Sequence, residues 1–271
     1  MCLKNDITFV LMTCGELTEK ECLAAIKPFR GEIEFKEVRN VYPQIKALNQ
    51  MIECVETEYF IPLDADIILN RDTWPKIRTA LNKHRHDPNW HSILFPLWDT
   101  LTERRILALK LLRTSIAKEY MFKESATPDV EHFKRLTDAG YACIDRYLKL
   151  EPVGKHVVKG KKFCYHKYRD VYQTYKSHGW EWDSGAFLGG KTITQRANAH
   201  FQYFLAKWVI TNNKDYLWCI AGMMDGILSL TENKSKDLSE KPEFTIEEGI
   251  HLYMDWYLKH GEQFQSGNFL F

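Results

Sequence analysis

Asp64 and Asp66 stand one residue apart in the run Tyr59-Phe60-Ile61-Pro62-Leu63-Asp64-Ala65-Asp66-Ile67-Ile68-Leu69. The residues around them are apolar, aromatic and β-branched over a short span, the pattern of a buried strand. On an extended backbone residues i and i+2 point the same way, so both carboxylates can reach one ligand. Unpaired carboxylates are too costly to bury beside an apolar strand. They must be solvated, hydrogen-bonded or holding a cation. An oxygen-only pair suits Mg²⁺ or Mn²⁺, ions that complete their shells with substrate phosphates. The plain alternative is a polar turn that contains two aspartates.

Three other stretches could carry chemistry. Trp180-Glu181-Trp182-Asp183-Ser184-Gly185-Ala186-Phe187-Leu188-Gly189-Gly190 sets acids between tryptophans, where desolvation raises a carboxylate's pKa and makes it a useful base. Its glycines let a substrate approach the backbone closely. The alternative there is a surface turn with tryptophan packed beneath it. Asp225 is a lone acid in the apolar run Gly222 to Leu228, either buried against a partner or functional. Residues 152–169 hold Lys155, Lys159, Lys161, Lys162, Lys167 and Arg169 without an acid, with Tyr165, Tyr168, Tyr172 and Tyr175 interleaved in and just after them. Such a run can hold phosphates and stacked bases, or simply be a solvated loop.

The elements that must position these residues alternate in type. Ile7 to Met12 reads as a strand, followed by a helix capped by Thr18 with Glu21 as capping-box partner and ended by Pro28. Glu32 to Val38 alternates charged and apolar residues, and Gln44 to Glu56 carries apolar positions at helical spacing. The order β-α-β-α-β predicts a parallel sheet with right-handed crossovers, which binds ligands outside the carboxyl ends of its strands. Thr13 to Glu16, Arg39 to Tyr42 and Asp64 to Asp66 converge there. Neither GxGxxG nor GxxxxGK[ST] occurs, so phosphate must be held another way. Thr73 to Asn82 reads as a helix and Trp90 to Trp98 as a strand. After Asp99, Leu101 to Tyr120 and Asp129 to Leu148 read as long helices. Later helices run from Gln195 to Trp208, Tyr216 to Leu230 and Thr245 to His260, the last with Thr245 as cap and Glu248 as its partner.

The stretch Pro43 to Asn49, followed by Thr57 to Asp66, resembles the nucleotide-sugar domain of glycosyltransferases with the A-type (GT-A) fold, nearest to family two, over about the first 100 residues. The resemblance implies an α/β fold: a Rossmann-like, mostly parallel sheet with flanking helices and a largely helical acceptor-side extension. Residues 1–100 would form the nucleotide-sugar-binding part. Residues 101–271 would complete the same domain on the acceptor side, with a helical insertion at about 101–150. Asp66 would be the direct metal ligand for Mn²⁺ or Mg²⁺, Asp64 would contact metal or ribose, and Thr13, Glu16 and Asn40 would line the nucleoside pocket. The acidic pair that usually follows the second strand is replaced by Arg39-Asn40. Asp183 is the first candidate for general base or sugar contact, Glu181 the second, and Asp225 fits an acid-bearing helix of the family loosely. The family often takes a third metal ligand from a late histidine, and His200, His251 and His260 are all available.

The implied activity is transfer of a sugar, UDP-linked by expectation, from a nucleoside diphosphate to an acceptor that could include a modified base in DNA. One rival is a nucleotidyltransferase, which needs a basic residue in its first loop where this chain has Thr13-Cys14-Gly15-Glu16. Another is a nucleic-acid-binding module centred on residues 152–169. With 37 Lys+Arg against 36 Asp+Glu over 271 residues, general nucleic-acid binding has no support in net charge. Seven scattered cysteines without CxxC spacing argue against a disulfide framework or zinc site. The absence of an apolar leader or bilayer-length run leads to the expectation of a cytoplasmic protein with no membrane span.

Overall fold

The computed structural model describes residues 6–125, 127–178, 193–229 and 237–260. By their internal contacts they fall into two units, Met1–Lys159 and Gly160–Phe271.

Unit 1 begins as its hydrophobic pattern dictates. Strand β1 (Ile7–Thr13), helix α1 (Glu19–Ile26), strand β2 (Glu34–Arg39), helix α2 (Gln44–Cys54) and strand β3 (Tyr59–Asp64) follow one another. Period-two alternation gives the sheet two apolar faces. Ile7, Phe9 and Leu11 with Tyr59, Ile61 and Leu63 pack on Cys22 and Ile26 of α1 and on Trp74, Ile77 and Leu81 of α3 (Thr73–His84). Val10 and Phe60 face the other way, onto Leu48, Met51 and Ile52 of α2. The short strand β4 (Ile67–Leu69) separates β3 from α3. The two acids stand where the strand ends, as expected, but Asp66 lies in a two-residue turn, so the pair does not share one extended backbone.

Residues 101–120 correct the helical reading. Strand β5 (Trp90–Asp99) turns directly into β6 (Arg104–Arg113), the two pairing antiparallel from Asp99 opposite Arg104 to Ser92 opposite Leu112. The turn lacks glycine, proline or asparagine. Asp99 shapes it instead, its Oδ1 accepting the amides of Leu101 (2.8 Å) and Thr102 (3.1 Å), while Glu103 takes φ +51°. Leu109 and Leu111 are buried on the sheet, and burial overrides the local helical spacing. Helix α4 (Thr114–Glu119) follows. The second expected helix, Asp129 to Leu148, is α5 (Pro128–Asp138) and then strand β7 (Ala142–Ile144) and a 3₁₀ turn.

Strand β8 (Gly154–His156) completes an eight-stranded sheet ordered β2-β1-β3-β6-β5-β8-β4, with β7 on β5. β1 is parallel to β2 and β3, and β5 is parallel to β7 and β8. The pairs β3/β6, β5/β6 and β4/β8 are antiparallel, so the sheet is mixed.

In unit 2 the described residues form α6 (Lys161–His178), α7 (Ile193–Thr211), α8 (Asp215–Leu228) and α9 (Ile246–His260). Helices α6 and α8 touch backbone to backbone: a Cβ on Gly222 would run into the carbonyl of Tyr165, and one on Gly226 into the carbonyl of Arg169. The capping box at α9 forms as expected, Glu248 accepting the Thr245 amide (2.7 Å) and Thr245 Oγ1 the Glu248 amide (3.2 Å). The basic stretch 152–169 is not a loop but β8 and the start of α6. Tyr165, Tyr168, Tyr172 and Tyr175 are all buried, which removes them as a platform for stacking bases.

Candidate active site

At the carboxyl end of β1 the three expected loops are tied together by backbone hydrogen bonds. Asn40, at φ +53°, donates its amide to the Thr13 carbonyl (2.9 Å), and Ala65 donates to Met12 (3.0 Å). Thr13 Oγ1 lies 2.7 Å from Glu16 Oε2 and 2.8 Å from Glu19 Oε2, and Glu16 also takes the Cys14 amide (2.8 Å). The Thr13 hydrogen bond, then Arg39 at 2.8 Å, hold the Glu19 carboxyl below its usual range. Arg39 also binds Glu37 (2.6 Å). The arginine that replaces the expected acidic pair is thus neutralised by two glutamates. Thr13 and Glu16 are engaged with each other, and Asn40 is exposed beside them.

The start of α1 is pinned to the Asp64–Asp66 turn. Thr18 donates its hydroxyl to the Ala65 carbonyl (3.0 Å) and makes no cap bond to its own helix, which corrects the capping box expected with Glu21. Cys22 Sγ lies 3.8 Å from the Asp64 carbonyl. Burial pushes the Cys22 thiol up to about 12, and Asp66, Asp64, Glu19 and Glu16 push in the same direction. Four carboxylates therefore act on one small volume. Asp64 is exposed at the end of β3, and Asp66 is partly buried.

The residue that meets Asp66 is His156, whose Nε2 lies 3.2 Å from Asp66 Oδ2. Its Nδ1 lies 3.3 Å from Oδ2 of Asp99, which is 2% exposed. Register makes this row: His156 pairs with Ile67 on one side and with Asp99 on the other, and the Val157 amide donates to the Asp66 carbonyl (2.8 Å). His156 lies inside the basic stretch 152–169, where sequence reasoning gave it no role of its own. No local signal marked it, because the contact depends on β8 lying beside β4, where a Cβ on Gly154 would sit 2.6 Å from the Ile68 carbonyl oxygen.

The donor set fits a hard divalent cation. Two ligand atoms about 2.1 Å from one ion and at right angles lie about 3 Å apart, close to the Asp66–His156 separation. Among the described residues no three acidic, histidine or cysteine side chains cluster tightly enough to hold an ion alone. Phosphate oxygens and water would have to complete the shell.

The three histidines considered as late ligands belong to unit 2. His200 is buried in α7 with Nδ1 2.6 Å from the Tyr172 hydroxyl, and His251 is exposed on α9, which also carries His260. Asp225 is 1% exposed, accepts the Tyr165 hydroxyl (2.8 Å) and forms an ion pair with the Arg169 guanidinium at 3.1 Å. Burial raises its pKa, against the pull of Arg169. Its contacts are those of a clamp between α6 and α8. Asp183 and Glu181 lie outside the described residues.

The sheet is mixed, has helices on both faces, and carries a carboxylate pair where the loops converge, the arrangement expected of a glycosyltransferase with the A-type fold. Residues 18–142 match the model of the family described as glycosyl transferase family 2, and the match supports a glycosyltransferase. No curated protein matches the chain. Among solved structures it is similar to a mannosyltransferase, PcManGT from Pyrobaculum calidifontis in complex with GDP-Man and Mn²⁺, at 12% identity and TM-score 0.46, over 98% of this chain and 77% of that one. It is also similar to S. aureus TarS 1-349, at 10% identity and TM-score 0.41, over 82% and 81%. TarS 1-349 in complex with UDP-GlcNAc gives 11% identity and TM-score 0.39 over the same shares. Identities and scores this low give no residue-level correspondence.

Proposed function

We propose that the protein transfers a sugar from a nucleoside diphosphate donor, a UDP-sugar in the first instance, to an acceptor hydroxyl. The observation that carries this reading is the placement of His156 on Asp66, beside Asp64, where the β1, β2 and β3 loops meet. Asp64, Asp66 and His156 would hold Mn²⁺ or Mg²⁺. When bound, that ion neutralises charge developing on the leaving diphosphate.

The chain's own residues do the rest. The Thr13–Glu16 loop and Asn40 border the nucleoside, and Arg39, already bound to Glu19 and Glu37, keeps those acids in place. The acceptor oxygen forms a bond to the anomeric carbon as the bond from that carbon to the diphosphate oxygen breaks with its electron pair. Asp183, or Glu181 after it, would take the acceptor's proton if configuration inverts. Asp225 keeps a packing role in this reading.

The acceptor's class rests on less. A modified base in DNA was attractive while the tyrosines near residue 165 could stack, and their burial removes that support. Six described cysteines are free thiols, in keeping with a reducing, cytoplasmic setting, and among the described residues no helix is long and apolar enough to cross a membrane.

The test is thermal unfolding with UDP, GDP and their sugars, each with Mn²⁺, Mg²⁺ or chelator. A ligand at 100 times its dissociation constant adds about 2.7 kcal/mol. One nucleotide should raise the midpoint by several degrees only with metal, and Asp66→Asn should abolish the rise. A wild type that answers to no nucleotide under any metal condition overturns the reading.

A further inference from the structure

We propose that Asp99 is a positioning residue for the cation site, acting through His156. The inference rests on the reading of Asp64, Asp66 and His156 as the metal-binding residues and adds a fourth group that contacts neither metal nor substrate.

Asp99 sits at the last position of β5, directly opposite His156 in the parallel pairing of β5 with β8. Its side chain is almost wholly enclosed. One carboxylate oxygen is committed to the β5–β6 turn, where it accepts the amides of Leu101 and Thr102. The other faces His156 Nδ1 at 3.3 Å. A carboxylate oxygen can only accept, so the contact with Asp99 Oδ2 calls for a ring proton on Nδ1. Nε2 is then the nitrogen left to bind a cation in place of a proton, and it faces Asp66 Oδ2 at 3.2 Å. Ring orientation and tautomer are thus both set from the side away from the ligand.

The backbone removes the remaining freedom. The His156 carbonyl accepts the Thr100 amide (3.0 Å) and the Thr100 hydroxyl (3.2 Å), which locks β8 to the same turn that Asp99 shapes. On the opposite edge Gly154 lets β8 lie against Ile68 and Leu69 more closely than any side chain would permit. One hairpin turn therefore fixes both the height of His156 on the sheet and the direction of its ring. The turn that the sequence pattern assigned to the start of a helix is a support for the site.

The experiment is a double-mutant cycle on binding of Mn²⁺ with UDP present, read from the change in the Mn²⁺ EPR signal when protein is added to the same Mn²⁺–UDP mixture. Asp99→Asn keeps the shape and one carbonyl oxygen for the turn amides, but replaces the acceptor facing Nδ1. It should weaken Mn²⁺ binding about 10- to 100-fold, the range typical for such supporting groups. In a His156→Ala background the same substitution should change Mn²⁺ binding less than twofold, because no ring remains to be oriented. An Asp99 that served only the turn would weaken binding equally in both backgrounds, and that result overturns the proposal even if Asp99→Asn lowers stability. Asp66→Asn separates the two layers. If it abolishes binding while Asp99→Asn binds like wild type, this inference fails and the metal reading stands. If Asp66→Asn binds like wild type, or if wild type binds no Mn²⁺, the metal reading fails and the inference fails with it.

Discussion

Thr18 Oγ1 and the carbonyl of Ala65 are 3.0 Å apart, and both groups are buried. Helix α1 thereby grips the residue between the two aspartates. The same contact explains why its first turn has no side-chain cap.

Replacing Thr18 with valine keeps the shape and removes the donor. The Ala65 carbonyl then loses its hydroxyl partner in a buried place, a loss of about 1–3 kcal/mol. We expect a midpoint several degrees lower without ligand and, with the turn loosened, a weaker metal-dependent response to nucleotide. Calorimetry with and without Mn²⁺ and nucleotide separates the two effects. A mutant that is less stable but responds to metal and nucleotide as fully as wild type would show that the grip serves folding alone.

Most of what the sequence announced was periodic. Alternating Phe9, Leu11, Ile61 and Leu63, and the helical spacing of Ile45, Leu48 and Ile52, are repeated local signals, and each is buried as its pattern requires. The β5–β6 hairpin had no such signal. Its turn is made by an aspartate side chain binding two amides, and β6 carries leucines at spacings that fit a helix equally well. The reach from His156 to Asp66 was illegible for another reason. It spans ninety residues and depends on which strands become neighbours, a fact of topology that no local window contains. The tyrosines of α6 misled because an aromatic beside lysines reads as a binding surface until the opposite helix is seen to cover it.

Gly222→Ala in α8 distinguishes local preference from packing by the sign of its effect. Propensity alone makes alanine more helix-favourable than glycine by about 1 kcal/mol. Contact with the Tyr165 backbone argues the reverse, because α6 must move to admit the methyl group. Overpacking typically costs about 1–3 kcal/mol, and a rigid backbone neighbour leaves little room to relax. Urea unfolding of the full chain should show a lower midpoint for the mutant. A stabilised mutant would mean that the two helices are not held at this distance.

His91 and His132 give unit 1 an acid limit. Both rings are buried, at 1% and 0% exposure; neither ring nitrogen of His91 has a hydrogen-bond partner among the described residues, and His132 has only the Tyr120 backbone close enough to favour its charged form. Burial lowers each pKa from 6.5 to about 4, with Lys110 adding to the shift at His91 and Arg135, His91 and Lys110 at His132. Their rings pack with Phe133 and Phe122, and Lys110 lies over the Phe133 ring while binding Asp129. The sign follows from proton counting. Between pH 6.5 and 4 the unfolded chain binds protons that the folded chain refuses, so stability falls as pH falls. Above about 6.5 both forms are neutral and the contribution is constant, and below 4 these two groups add no further loss. Each unit of pKa difference is about 1.4 kcal/mol, which makes the pair worth several kcal/mol across the window. Urea midpoints from pH 7.5 to 4.5 should drop most steeply between 6 and 4.5, and the double variant His91→Leu with His132→Leu should flatten that drop. A double variant that keeps the full acid sensitivity of wild type would assign the loss to other groups.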